Sequence, residues 1–542
     1  MPRMTGGGAV VRSLVDHGID TVFGIPGIQL DHLFNAFHDA RNEIRVIHTR
    51  HEQGAAYMAL GWAQATGRPG VYAVVPGPGV LNTTAALSTA YAAGAPVFCL
   101  TGQIPSNAIG RGFGLLHEIP DQLGTLRGLT KWAARIEHPA HAPRLMRDAF
   151  RELASGRTRP VAVEIAMNVL AQSAEVAPLA PFPPDPPPLP DPDAIEAAAK
   201  LLGAAERPLI FAGGGAIDAG AELLAVAEML QAPVALSRPA LGVIDSRSPF
   251  AITHPAAHRL WAGADVVLGV GTRLQPQVPQ WGLDAGLKIV RIDVDPAEVG
   301  RAARPAVAVV ADAKPALAAL AERLARHNRR RPSRVDDLAK LKGDMARVFA
   351  DKVGPQMTFL ASIRAELPED GFFVEDLTQV GYVARFAFPV HRPRTYIHTG
   401  YQGTLGFGFA TALGVKAAFP DRAVVGISGD GGFMYNVQEL ATAVQHGLGV
   451  VAIVFNDGAY GNVRRMQIED HGGRVIASDL KNPDFVKLAE SFGAQGLRAR
   501  GPDELRAALR RALATAGPTL IDVPVGEFPA PWDFIQFPPA RP

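Results

Sequence analysis

Residues 429–462 read GDGGFMYNVQELATAVQHGLGVVAIVFNDGAYGN, and the fold follows from how they are read. The apolar run just before them, 424–428, is bounded like a buried parallel strand and delivers Gly429, Gly431 and Gly432 at its C-terminal end. Residues without a Cβ let the backbone turn sharply there and bring its amides close to a phosphate. Asp430 adds a hard oxygen ligand of the kind that suits Mg²⁺ or Ca²⁺. The spacing predicts a helix over 433–445 with Val437, Leu440, Ala441 and Val444 on one face. A second buried strand over 450–455 then ends at Asn456 and Asp457. Neighbouring parallel strands end side by side, so Asp430 and Asp457 are expected to converge on a metal-diphosphate site.

The spacing of GDG to the Asn456-Asp457 pair resembles the thiamine diphosphate signature of the acetolactate synthase, benzaldehyde lyase and 2-oxo acid decarboxylase family. The resemblance implies that Asp430, Asp457 and the main-chain carbonyl of Ala459 hold Mg²⁺ on the cofactor's diphosphate. Gly429, Gly431, Gly432, Tyr460, Gly461 and Asn462 are then expected around it. The family usually carries Asn where Asp457 stands. An extra carboxylate favours the cation and repels the phosphates.

Working back to the N-terminus, helix and strand patterns alternate, which implies parallel sheets whose ligands bind outside the carboxyl ends of the strands. The 21–25 strand closes at Pro26 and Gly27, which are expected among the cofactor contacts, and the strand over 44–48 leads into Glu52 at a helix start. A helix-start Glu is commonly just a favourable dipole partner. By resemblance Glu52 is instead the catalytic Glu that bonds N1′ of the cofactor's aminopyrimidine and favours the imino tautomer, which deprotonates the thiazolium C2. A dry site is expected around it. Asn82, in the Pro76-Gly77-Pro78-Gly79-Val80-Leu81-Asn82 segment, is expected near the pyrimidine, and its residue type also suits a helix N-cap. Thr378 and Gly403 join the cofactor contacts, and Leu405 is the apolar residue expected to bend the cofactor into a V.

Substrate discrimination is expected from Ile28, Gln29, His117 and Met466. The loop Leu116-His117-Glu118 stands where acetolactate synthases usually carry an aromatic-Gln-Glu run, and it is similar to that of some 2-oxo acid decarboxylases, including the guanidino-oxo acid type. An imidazole can serve there as acid, base or orienting donor. Met466 replaces a Trp that helps acetolactate synthases select the acceptor.

With 542 residues, 48% hydrophobic and 19% charged, the chain has the length and composition of an ordinary globular protein of about three domains. Its fold class is α/β, with three doubly wound parallel-sheet domains: a pyrimidine-binding domain over 1–172, a central domain over 193–328 and a diphosphate-binding domain over 355–542. The proline-rich run 181–193 reads as a linker, and 329–354 as a charged connection. The net charge of +1 and the lack of interleaved aromatics speak against nucleic acid, and the basic cluster 323–334 reads as a solvated helix end. The single Cys99 sits in a buried-strand pattern and reads as a small core residue. With no apolar run of about 18 residues, no membrane span is expected, and a cytoplasmic location follows as the default.

In the central domain Gly213-Gly214-Gly215 follows a strand, but without dinucleotide-fingerprint spacing it reads as a structural turn. The family places FAD or ADP in this domain in some members, and the residues predict neither. The resemblance implies a homodimer or homotetramer with sites between subunits. It also implies decarboxylation of a 2-oxo acid and transfer of the acyl carbanion to a carbonyl acceptor, as in acetolactate synthase. The alternative is a non-ligating 2-oxo acid decarboxylase or a hydroxy-ketone lyase. A silent regulatory paralogue is least expected, because Glu52 and the metal clamp are both present.

Overall fold

The computed structural model describes residues 1–275 and 277–542. Strands rich in Val and Ile, apolar on both faces, pair in parallel because helices cover both sides. The result is three six-stranded sheets. In the first, the strands run in the spatial order Arg45–His48, Thr21–Gly24, Gly70–Val74, Val97–Gln103, Val161–Ala166 and Trp132–Ile136. The third repeats that order with Tyr396–Ile397, Phe372–Val374, Val424–Gly429, Val451–Asn456, Thr519–Pro524 and Gln495–Arg498. Each starts in the sheet interior and winds outward both ways, which opens a crevice at the carboxyl ends of its first and third strands.

The central sheet reverses elsewhere. Its order is Ala251–Ile252, Val234–Leu236, Leu209–Ala212, Val266–Val270, Lys288–Asp293 and Val307–Val310. The three doubly wound parallel sheets are therefore as expected. The Trp132–Ile136 strand and a short antiparallel pair, Arg3–Thr5 with Ser173–Glu175, are additions to the sequence reading.

The first and third sheets share one hydrophobic core. It is built around the Glu52–Thr66 and Phe407–Ala418 helices, which touch where glycine removes the side chain. A Cβ on Gly61 would lie 2.1 Å from the Thr411 carbonyl, and one on Gly414 1.9 Å from the Met58 carbonyl. Cys99 is buried in this core, and burial pushes its thiol up to about 12, as befits an inert packing residue.

Several expectations are corrected. The helix expected over 433–445 is two short ones, Asp430–Phe433 and Glu439–Gln445, with Asn436 turned inward between them. The buried face is Glu439, Leu440, Thr442 and Ala443, and Val444 is exposed. The supposed connection 329–354 is largely helical: Val335–Glu366 is two helices joined across a kink at non-helical Val353, just before Pro355, with Leu338, Met345 and Phe349 buried. Within the proline-rich run, Pro192 and Asp193 already open the Pro192–Ala204 helix, where proline is tolerated because the first amides need no partner. In the basic cluster, Arg331 is no solvated end. Its guanidinium donates to the carbonyls of Leu202, Gly203 and Ala205 at the C-terminus of that helix. The C-terminal tail straps the central domain to the third: Phe537 stacks on His258 at 4.5 Å, and Arg541 pairs with Asp284 at 2.6 Å.

No helix among the described residues is long and apolar enough to cross a membrane.

Candidate active site

Register places the acidic pair. Gly429 pairs with Phe455, so Asp430 leaves its strand level with Asn456 and beside Asp457. The Asp430 carboxylate is buried, and its Oδ2 accepts from the Gly458 amide at 2.9 Å and from Asn482 Nδ2 at 2.5 Å. Asp457 accepts from Gln379 Nε2 at 2.8 Å and from the Ala459 amide at 3.3 Å. All these donors are neutral. Burial, and then the charge of Asp430, push the Asp457 carboxyl up to about 6.

Next to the pair, Tyr460 donates its amide to the Ser478 carbonyl and Leu480 donates to the Gly458 carbonyl, which makes a bridge between Ala459 and Asp479. In that bridge type the Ala459 carbonyl turns away from Asp479. The buried Asn462 Oδ1 has no partner. Both glycines leave room for neighbouring side chains: a Cβ on Gly431 would meet the Tyr460 ring at 2.5 Å, and one on Gly461 would meet Asp457 Oδ2 at 2.4 Å. Two carboxylates and a free carbonyl beside them are an all-oxygen donor set of the kind that fits a hard divalent cation.

The crevice of the third sheet is finished by Thr378, which caps the Gln379–Ala387 helix, and by the 400–406 turn. Gly403 and Gly406 adopt φ of +60° and +78°. Asn436 Nδ2 holds the Gly406 carbonyl at 2.6 Å. Leu405, just before it, stays half-buried. Asp376 ties the crevice floor together, accepting from the Gly408 amide at 3.0 Å and from Ser428 Oγ at 3.2 Å, and burial pushes its carboxyl up to about 6.

In the first sheet, Glu52 opens its helix and its Oε2 accepts from Asn82 Nδ2 at 3.0 Å. Asn82 ends the Pro78–Asn82 helix and caps nothing, which corrects the N-cap expectation: its amide is spent on Glu52. The turn before it is fixed from below. Gly77 has φ +59°, a Cβ there would meet the His117 carbonyl at 2.4 Å, and its amide donates to the buried Gln122 Oε1 at 2.9 Å. Gln122 in turn donates to buried Glu164, which Arg135 neutralises at 2.5 Å. Beyond Pro26, a Cβ on Gly27 would meet Val75 at 2.4 Å, so the two crevice loops pack directly.

Gln29 is buried. Its Nε2 donates to the Leu116 carbonyl at 3.1 Å and its Oε1 accepts from His117 Nδ1 at 2.9 Å. The structure thus brings together Asp430 with Asp457, Glu52 with Asn82, and Gln29 with His117. Ile28 and Met466 remain exposed.

Three family models match the chain in order. They are the thiamine pyrophosphate enzyme N-terminal TPP binding domain over residues 4–125, the central domain over 195–320 and the C-terminal TPP binding domain over 376–523. A Pseudomonas aeruginosa protein described as a probable 2-ketoarginine decarboxylase is 35% identical, the match covering 96% of this chain and 94% of that protein. The chain belongs to the thiamine pyrophosphate enzyme family.

Two further relatives agree with this. The probable acetolactate synthase large subunit of Methanocaldococcus jannaschii is 34% identical over 96% of this chain and 92% of its own length. The acetolactate synthase of Arthrospira platensis is 33% identical over 96% and 94%. The protein is accordingly a thiamine diphosphate-dependent enzyme with an acetolactate synthase-like chain.

In this thiamine pyrophosphate enzyme two amides of the central glycine triplet are bonded within the domain. The Gly213 amide donates to the Val270 carbonyl at 2.9 Å and the Gly215 amide to the Gly271 carbonyl at 3.1 Å. A Cβ on Gly213 would lie 2.2 Å from the Gly271 carbonyl. Sequence reasoning missed Asn482, Gln379, Gln122 and Asp376. Only Asp376 carried a signal, an acid at the end of the first strand of the third sheet.

Proposed function

We propose that this enzyme uses thiamine diphosphate and Mg²⁺ to decarboxylate a 2-oxo acid and to transfer the remaining acyl unit to a carbonyl acceptor, as an acetolactate synthase-like carboligase. The observation that carries the reading is the Asp430–Asp457 pair, held by neutral donors at the crevice of the third sheet. No group of three or more His, Cys, Asp or Glu side chains able to hold a metal is present among the described residues, so the pair would share its cation with main-chain carbonyl and cofactor phosphate.

Asp430, Asp457 and the Ala459 carbonyl would hold Mg²⁺. Gly429, Gly431, Gly432, Tyr460, Gly461, Asn462, Thr378 and Gly403 would surround the diphosphate, and Leu405 would supply the apolar support beneath the cofactor. When bound, the cofactor supplies the electron sink for the pair left behind as carbon dioxide departs. Glu52 holds the proton exchanged with the aminopyrimidine N1′, and Asn82 fixes its carboxylate. Pro26 and Gly27 line the pyrimidine side, and Gln29 orients His117 toward the substrate.

Glu52 is only half-buried in the single chain, whereas its proton transfer works best out of water. A homodimer or homotetramer, with a second copy closing this face, supplies that dryness. The domains extend over 1–172, 193–328 and 355–542, and the enzyme works in the cytoplasm.

A second reading, decarboxylation without ligation, is favoured by the relative described as a 2-ketoarginine decarboxylase together with the Leu116-His117-Glu118 loop. Incubation with pyruvate, thiamine diphosphate and Mg²⁺ separates the two. Acetolactate is the expected product; acetaldehyde without acetolactate sinks the carboligase reading, and no pyruvate turnover directs the search to larger 2-oxo acids.

A further inference from the structure

Glu439 lies in the third domain and has no part in the metal clamp, yet it is fully buried. Its Oε1 accepts from the His51 amide at 3.0 Å and the Arg50 amide at 3.2 Å. Oε2 accepts from Arg50 at 3.1 Å and from Thr442 Oγ1 at 2.5 Å. Those two amides immediately precede Glu52. A Cβ on Gly54 would lie 2.4 Å from Glu439 Oε1, so the helix that begins at Glu52 leaves a gap shaped for this carboxylate. Arg50 adds a second tie, donating to Gln445 Oε1 at 2.9 Å.

The amides before and within the first turn of a helix lack helical partners, and an anion satisfies them well. Here the local cap, His51 Nδ1, takes only the Gln53 amide. The anion comes from another domain, on a segment that also carries Asp430 and the Asn436 hold on the Gly406 turn.

We propose that Glu439 is a positioning residue that sets the backbone, and so the carboxylate, of Glu52 against the cofactor. The inference rests on the proposed role of Glu52. One segment, 430–442, thereby fixes in one chain both the diphosphate-binding end and the entry to the catalytic Glu helix. A 1 Å error at a proton-transfer group costs up to about a hundredfold in rate, so such a hold has kinetic weight.

The test uses the full-length enzyme and the Glu439→Ala, Glu439→Gln and Glu52→Gln variants. Deuterium uptake by the cofactor-free protein is followed in the peptide holding the Arg50 and His51 amides. In the thiamine diphosphate and Mg²⁺ complex, exchange of the cofactor's C2 proton for deuterium is read by NMR after acid quench, with cofactor affinity measured by equilibrium dialysis. Glu439→Ala should speed uptake in that peptide and slow C2 exchange by roughly ten- to a hundredfold, while affinity stays within about threefold. Glu439→Gln, which keeps one acceptor oxygen, should recover most of the rate. If Glu52→Gln slows C2 exchange and neither Glu439 variant does, Glu439 is only domain glue and the inference falls. If Glu52→Gln itself leaves exchange unchanged, the role of Glu52 falls and the inference with it.

Discussion

Two carboxylates side by side with no cationic side chain between them are costly, and Asp457 bears that cost: burial first, then Asp430, push its carboxyl up to about 6. At neutral pH the fold holds it ionised against that preference. Asp457→Asn should therefore stabilise the metal-free protein at pH 7.5, by about 1 kcal/mol once solvent screening is allowed for. The same change should raise the Mg²⁺ concentration needed for half-maximal cofactor binding. Thermal unfolding with and without Mg²⁺ checks both, and identical behaviour of the two proteins would dismiss the charge argument. At this scale Asp430, Asp457, Glu52 and Asn82 were legible because each sits in a short motif next to its own strand end. Glu439 was not, since it lies 389 positions from Arg50 and reads locally as an ordinary helix residue. Asn482 was hidden for the same reason: its partner Asp430 is 52 positions away, and the surrounding sequence reads as a loop.

Periodicity located most elements and failed where tertiary polar contacts overrode it. The 433–445 pattern has helical spacing, but Asn436 turns inward to the Gly406 carbonyl and Glu439 to the Arg50 and His51 amides, and the helix breaks between them. The kinked Val335–Glu366 helix pair was missed because its charge density masks a sparse apolar stripe. Gly54 makes the clearest test at this scale. Inside a helix Gly→Ala is ordinarily worth up to about 1 kcal/mol in the stabilising direction. Here the new methyl would displace the Glu439 carboxylate, so Gly54→Ala should instead cost about 1–3 kcal/mol in chemical denaturation. A gain in stability would contradict the packing described between these two elements.

Across the whole molecule, three sheets, the kinked helix pair and the tail are tied by buried polar links. Arg238 of the central domain pairs with buried Glu375 at 2.7 Å and donates to the Gly400 carbonyl. His398 belongs to the same cluster. Its Nδ1 accepts from the Gly400 amide at 3.0 Å, and burial, then Arg238, push its imidazole down to about 4. An unfolded His titrates near 6.5, so between those values the unfolded chain binds a proton that the fold excludes. Stability present above about pH 6.5 should be lost as pH falls toward 4, by up to about 3 kcal/mol from this residue. His398→Gln should flatten that part of the profile in urea titrations at pH 7 and 5, and parallel profiles would contradict it. The alternation of strands and helices foretold three parallel sheets, whereas the cross-domain ties left no local trace.

Glu52 and the Asp430–Asp457 clamp, brought together between two copies of the chain, are proposed to perform thiamine diphosphate-dependent decarboxylation. Carbon dioxide release from pyruvate and larger 2-oxo acids, measured with saturating thiamine diphosphate and Mg²⁺, tests it most directly when wild type and Glu52→Gln are compared. Cofactor-dependent release, slowed by about 10²- to 10⁴-fold in Glu52→Gln, is the predicted result. Equal release by both proteins would contradict it.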